Sequence, residues 1–211
     1  MKLESGRQPD VFRQMQNMQD QIDSLMKDSV FGGSFVTSLP KDGLFHGRHI
    51  FFQVSEGIIW HFIYNAFSTS PYRWEFVGGT DLYLKRSNVV SAPSGSGNWD
   101  NITSGTPCQV TCPLAGEYDF WFHASGQEDL GGTPSGDVYI SLHDDGAVVT
   151  TESEAWHRAT VAYHKWSIMN TAKLTVGAGS VMQTRGKIVS ASWNNYRWYS
   201  ADIRARPIRV G

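Results

Sequence analysis

Cysteine is almost absent from this chain: Cys108 and Cys112 are the only two in 211 residues. They lie in Cys108-Gln109-Val110-Thr111-Cys112, which reads as extended. Four residues along one strand separate the Cα atoms by about 13 Å on a common face, well beyond the roughly 7 Å a disulfide spans. A bond between them on that strand is excluded. Two thiols with no further ligands at recognisable spacing do not make a zinc site either, so both are expected as small buried side chains. An excess of one charge is also missing. With 18 Lys and Arg against 20 Asp and Glu, the net charge of −2 supplies no field that would draw the chain onto nucleic acid or an anionic bilayer. Long apolar runs are lacking as well: Ile58 to Tyr64 is interrupted by His61 and falls far short of the roughly 18 residues of a membrane span, so no membrane insertion is expected. The opening Met1-Lys2-Leu3-Glu4-Ser5-Gly6-Arg7 has no apolar core of the kind a signal peptide carries. Assembly in the cytoplasm, without Sec-type export, is the expectation.

What is present begins with a seam. Val11, Met15, Met18, Ile22 and Leu25 are spaced alternately four and three apart in an otherwise polar segment. A 3.5-residue period is buried by another copy of the same helix, so the spacing predicts a short coiled coil and a symmetric oligomer. Pro9 and Asp10 suit the first turn, Lys27 suits the last, and Gly32-Gly33 stops the helix. That places it over about residues 9 to 29, close to 30 Å long. Met15 and Ile22 take heptad position a, and Val11, Met18 and Leu25 take d, a mixture that does not choose between two strands and three. Phe12 and Met26 at position e widen the apolar stripe, as three helices or a docked helix would require.

Beyond the helix the chain reads as β, in keeping with 21 glycines and 13% aromatics. Arg48 to Ser55 and Ile58 to Ala66 are joined at Glu56-Gly57, and in the second Trp60, Phe62 and Tyr64 alternate with Ile59, His61 and Ile63, so both faces are expected to be covered. Tyr72 to Val77 and Leu82 to Leu84 continue the sheet. Residues 91 to 107 are loop-like by composition. From Cys108 onward, short alternating strands recur: Tyr118, Phe120 and Phe122 face inward, as do Val138, Ile140 and Leu142, with Ala172, Leu174 and Val176 following. Asp145-Gly146 marks a hairpin turn. Ala201, Ile203 and Ala205 alternate with Asp202, Arg204 and Arg206 in the last strand, where Pro207 requires an edge or a bulge. The resulting division is an anchor and coiled-coil helix over 1–33, a small antiparallel β module over 34–90, a linker over 91–107 and a sandwich or jelly-roll head over 108–211.

Four segments carry a resemblance. Trp60-His61-Phe62-Ile63-Tyr64, Tyr72-Arg73-Trp74-Glu75-Phe76-Val77-Gly78-Gly79 and Ala205-Arg206-Pro207-Ile208-Arg209-Val210 are similar to small virion appendage proteins of tailed bacteriophages, of the minor tail, tail-fibre or head-fibre type. Leu114-Ala115-Gly116-Glu117-Tyr118-Asp119-Phe120 resembles the strand that opens C1q- and tumour-necrosis-factor-like jelly rolls. The resemblance implies a mainly β homotrimer located in the virion; the N-terminal segment, which the resemblance does not cover, is expected to attach it to other virion proteins. Capsid decoration and host-surface attachment are the two roles it suggests for the head.

A catalytic constellation is not evident. Asp144-Asp145 is a turn, Glu152 and Glu154 sit in a connector, and no Gly-x-Ser-x-Gly elbow occurs. Gly179 to Lys187 fails as a phosphate loop because its glycines are too far apart and Ile188 stands where Ser or Thr is required. His46, His49, His61, His123, His143, His157 and His164 are scattered through the chain. Neither an enzyme nor a cofactor protein is expected. Asn101-Ile102-Thr103 matches a glycosylation sequon that has no meaning without export. The surplus of tryptophan leaves a binding role open: Trp99, Trp121, Trp156 and Trp193 are the candidates for stacking on a cell-surface glycan, and core packing is the alternative use of such rings. A carbohydrate-binding module with no virion role would draw on the same residues.

Overall fold

The computed structural model describes residues 34–42, 44–87, 90–91, 97–102, 106–128, 136–149, 155–159, 165–189 and 196–211. The predicted helix and its seam, Val11, Met15, Met18, Ile22 and Leu25, lie outside them, as do Glu152, Glu154, His164 and Trp193. The described residues are all β and form two compact units, Met1–Gly79 and Thr80–Gly211.

The first unit builds a sheet in the order β1 (Ser34–Val36), β2 (His49–Ser55), β3 (Ile58–Tyr64) and β4 (Trp74–Gly79). All its pairings are antiparallel except β1 with β2. Gly57 makes the β2–β3 turn at φ 78°, a left-handed conformation that glycine adopts without a Cβ penalty. Period-two alternation buries Trp60, Phe62 and Tyr64 on one face with Ile50, Phe52 and Trp74. Trp60 and Phe62 meet edge to face at 6.0 Å, and Tyr64 meets Trp74 at 5.1 Å. The opposite face departs from expectation by being only partly covered: Ile59 remains 37% exposed and Phe35 69%. There the rings shield one another across strands, Phe35 against Phe51 at 5.5 Å and Phe51 against His61 at 4.7 Å.

The second unit contains β5 (Leu82–Arg86), β6 (Val90–Ser91), β7 (Asp100–Asn101), β8 (Gln109–Thr111), β9 (Gly116–Glu128), β10 (Gly136–Asp144), β11 (Ala147–Val148), β12 (Ala155–Ala159), β13 (Lys165–Val176), β14 (Val181–Val189) and β15 (Tyr196–Val210). Composition groups β5 with the strands before it, yet Leu82 pairs opposite Ala205 of β15 and Arg86 opposite Ala201, which carries it into this unit. In one sheet β15 pairs with β9, β9 continues to β13, and β5 and β6 also pair with β15. In the other, β10 pairs with β14, with β11 and β12 on β10 and β7 and β8 on β14. The long strands β9, β10, β13, β14 and β15 therefore pass alternately from one sheet to the other, the connectivity of a jelly-roll sandwich.

The alternation read in the sequence is the one that fills this core. Tyr118, Phe120, Phe122 and Ala124 of β9, Val138, Ile140 and Leu142 of β10, and Ala201, Ile203 and Ala205 of β15 are all fully buried. Removing a Phe-sized side chain from water in this way stabilises by about 1.5–3 kcal/mol. The centre of one end is a cross-strand stack in which Gly126 of β9 lies opposite both Trp166 of β13 and Trp198 of β15. The two indoles meet at 4.6 Å and 86°, and a Cβ placed on Gly186 of the facing sheet would strike Trp198. Asp145 at φ 45° and Gly146 at φ 91° make the predicted hairpin turn. Pro207 takes the bulge: the β15–β9 register shifts between Pro207 and Arg209, which lets the ladder absorb the missing N–H. Cys108 and Cys112 are buried and unpaired, and desolvation pushes both thiols up to about 12, leaving negligible thiolate near neutrality.

Candidate functional site

Two outward faces of the second unit bring together polar and aromatic side chains from distant parts of the chain. On the β15–β9–β13 sheet, Asp202 lies directly opposite His123, and Ser167 stands on the next strand beside it. His123 Nδ1 is 3.0 Å from Asp202 Oδ2 and its Nε2 is 2.7 Å from Ser167 Oγ. An ionised Asp202 can only accept, so His123 Nδ1–H donates to it and the Ser167 hydroxyl donates to Nε2. This is the connectivity of a nucleophile, its base and an orienting acid. Oxyanion stabilisation, however, needs preorganised donors in a water-excluded site, and Ser167 stands exposed on a strand. The chain of hydrogen bonds acts as a brace across three strands. Ser125 and Ser200 add a second cross-strand link at 2.7 Å.

Further along the same face, Asp119, Trp121, Thr171 and Lys173 line a shallow depression of about 260 Å³. Asp81 accepts two hydrogen bonds from Arg206, at 2.7 and 3.0 Å, and lies 3.7 Å from Arg204. Those bonds, more than any other influence, raise the pKa of the Arg206 guanidinium. Arg206 then lies 5.4 Å from the Trp121 ring centre, which places a cation over one of the predicted glycan-stacking candidates. Met169 is 69% exposed on this face.

The β10–β14 sheet carries the other group. Lys187 pairs opposite Tyr139, which in turn pairs opposite Trp156 of β12. Trp99, just before β7, completes the row, because Asp100 pairs opposite Gly186. The Lys187 ammonium lies 4.3 Å from the Trp99 ring centre and 4.7 Å from that of Tyr139. Buried His143 holds the Trp99 ring edge to face at 5.1 Å. Arg185, two residues before Lys187, directs Nε and one Nη at the side-chain oxygen of Gln183, at 3.0 and 2.9 Å. Of the four tryptophans singled out in the sequence, Trp99 and Trp156 thus fall in one row, Trp121 stands on the other sheet, and Trp193 lies outside the described residues. Nothing in the sequence pointed to Lys187 or to the Ser167–His123–Asp202 link, since both depend on register between strands far apart in the chain.

In the first unit, His49 Nδ1 and His61 Nε2 approach to 2.8 Å, so one imidazole donates to the other. A second proton would set two N–H groups against each other. The His61 pKa is lowered, first by burial and then by His49. The folded state therefore favours neutral His61, and this contribution to stability is complete above the ordinary histidine value of about 6.5. It declines as the pH falls below that value, until the lower folded pKa is passed. The melting temperature should drop between pH 7.5 and pH 5, and a His61→Gln variant should show a flatter profile over the same range. Among the described residues, no group of three or more potential metal ligands is gathered together.

No protein family and no curated protein matches the chain. Among solved structures it is similar to the globular domain of zebrafish complement 1qA at 14% identity and a TM-score of 0.38, covering 62% of this chain and 98% of that one. It is also similar to the C-terminal domain of the sugar-binding protein EclA, at 17% identity and a TM-score of 0.33, over 66% and 90% of the two chains. A third likeness is to the VP2 subviral particle of infectious bursal disease virus, at 9% identity and a TM-score of 0.38, over 82% and 49%. The jelly-roll assignment rests on the strand pairings described above.

Proposed function

We propose that this chain is a structural protein of a tailed-phage virion: a homotrimeric fibre- or spike-type appendage, attached by its N-terminal segment and presenting its β head to glycans of the host surface. It works by assembly and binding, without catalytic turnover. The observation that carries this reading is the outward face of the β15–β9–β13 sheet, where long strands present exposed Met169, half-buried Trp121 and charges of both signs on an open surface. Such a face suits a large, flat partner such as a second copy of the chain. The heptad seam supports self-association independently, and the phage assignment rests on the three resembling segments. A carbohydrate-binding module without a virion role is the second reading, favoured by the Trp99–Lys187–Tyr139 row. Light scattering on the purified chain should give three times the 23.6 kDa chain mass. Electron microscopy with an antibody against the head should label a tail or neck structure. A monomer would overturn the oligomer, and label spread over the capsid shell would replace a fibre by a decoration protein.

A further inference from the structure

The Lys187 ammonium lies between two aromatic rings and has no carboxylate partner among the described residues. Asp137, the acid of β10 on this face, sits one row away, opposite Val189. Arg185 is turned toward Gln183. A lysine held this way is a compact positive charge on a flexible stem, resting on rings that hold it less firmly than a hydrogen-bonded anion would. Swinging the ammonium away would uncover aromatic surface, and His143 at the edge of Trp99 keeps that ring in place. The C–H face of a sugar ring is the natural occupant of such a surface. A sugar that also carries a negative charge would satisfy the lysine at the same time.

Resting on the glycan-binding part of the reading above, we propose that Trp99, Tyr139 and Lys187 form a binding site for a carboxylate-bearing sugar. Its ring packs on Trp99 and Tyr139 while its carboxylate accepts a hydrogen bond from the Lys187 ammonium. A carboxylate is favoured over a phosphate because one point charge neutralises a monoanion, whereas phosphate sites gather forked guanidinium groups or several backbone N–H groups. Trp156 stands at the register position opposite Tyr139 on β12.

The test is a panel of uronic- and sialic-acid oligosaccharides, their methyl esters as neutral counterparts, and phosphorylated oligosaccharides, applied to the full chain. Binding is measured by titration calorimetry, and melting temperatures confirm that each variant is folded. At least one acidic oligosaccharide should bind tenfold or more tightly than its methyl ester. Lys187→Met should reduce the acid to the affinity of the ester, Lys187→Arg should restore most of the difference, and Trp99→Ala should weaken both forms at least tenfold. Equal affinity for acid and ester, or acid binding unchanged in Lys187→Met, would overturn the site. A preference for phosphorylated sugars would overturn the carboxylate assignment. Sugar binding that is indifferent to Trp99→Ala and Lys187→Met would leave glycan adhesion standing and remove this site from it, whereas failure of the whole panel to bind would remove both.

Discussion

Gly126→Ala should destabilise the second unit by about 3 kcal/mol, at the upper end of overpacking costs in a filled core. The new methyl group would meet the Trp166 ring and the backbone carbonyl of Arg197. Neither can yield cheaply: Trp166 is pinned by its edge-to-face contact with Trp198, and Arg197 is held by its ladder position opposite Gln127. For a chain of this length the cost corresponds to a fall of roughly 6–12 °C in melting temperature. Gly78→Ala is the control, because nothing lies within 4 Å of its added methyl and its φ is ordinary, so it should change stability by less than about 1 kcal/mol. Equal melting temperatures for the two variants would show that the Trp166–Gly126–Trp198 stack is looser than its geometry implies.

Deleting residues 1–33 should leave a folded trimer that no longer enters virus particles. Two or three heptads are marginal as an isolated helix, whereas three packed heads can bury an interface of standard size or more, upward of about 1,200 Å². On the proposed reading, the head should set the oligomeric state and the seam should serve for attachment and alignment. Ile22→Asp should likewise reduce incorporation into particles while moving the melting of the head very little. A truncated chain that sediments as a monomer would reverse this division of labour and make the seam the oligomeriser.

The amino-acid sequence by itself determined what is local. The alternations through Trp60, Phe62 and Tyr64, through Tyr118, Phe120 and Phe122, and through Ala201, Ile203 and Ala205 assign strands and their buried faces, because side chains leave a strand in opposite directions at every step. Asp145-Gly146 and Gly57 announce their turns because few residues reach positive φ cheaply. The separation of Cys108 and Cys112 along a strand excludes their bond for the same kind of reason. Which strands would lie side by side was not legible, since pairing depends on contacts between segments up to 125 positions apart, as for Asp81 and Arg206. The sequence did not single out Trp166 or Trp198, and the pairing of β13 and β15 with β9 placed both over Gly126 in the core. It also left His123 among scattered histidines, where register set it between Asp202 and Ser167, and Lys187 in a failed phosphate loop, where register set it against Tyr139 and Trp99. Period and turn chemistry are properties of a few consecutive residues, whereas a site assembled across strands exists only once the long loops between them have closed.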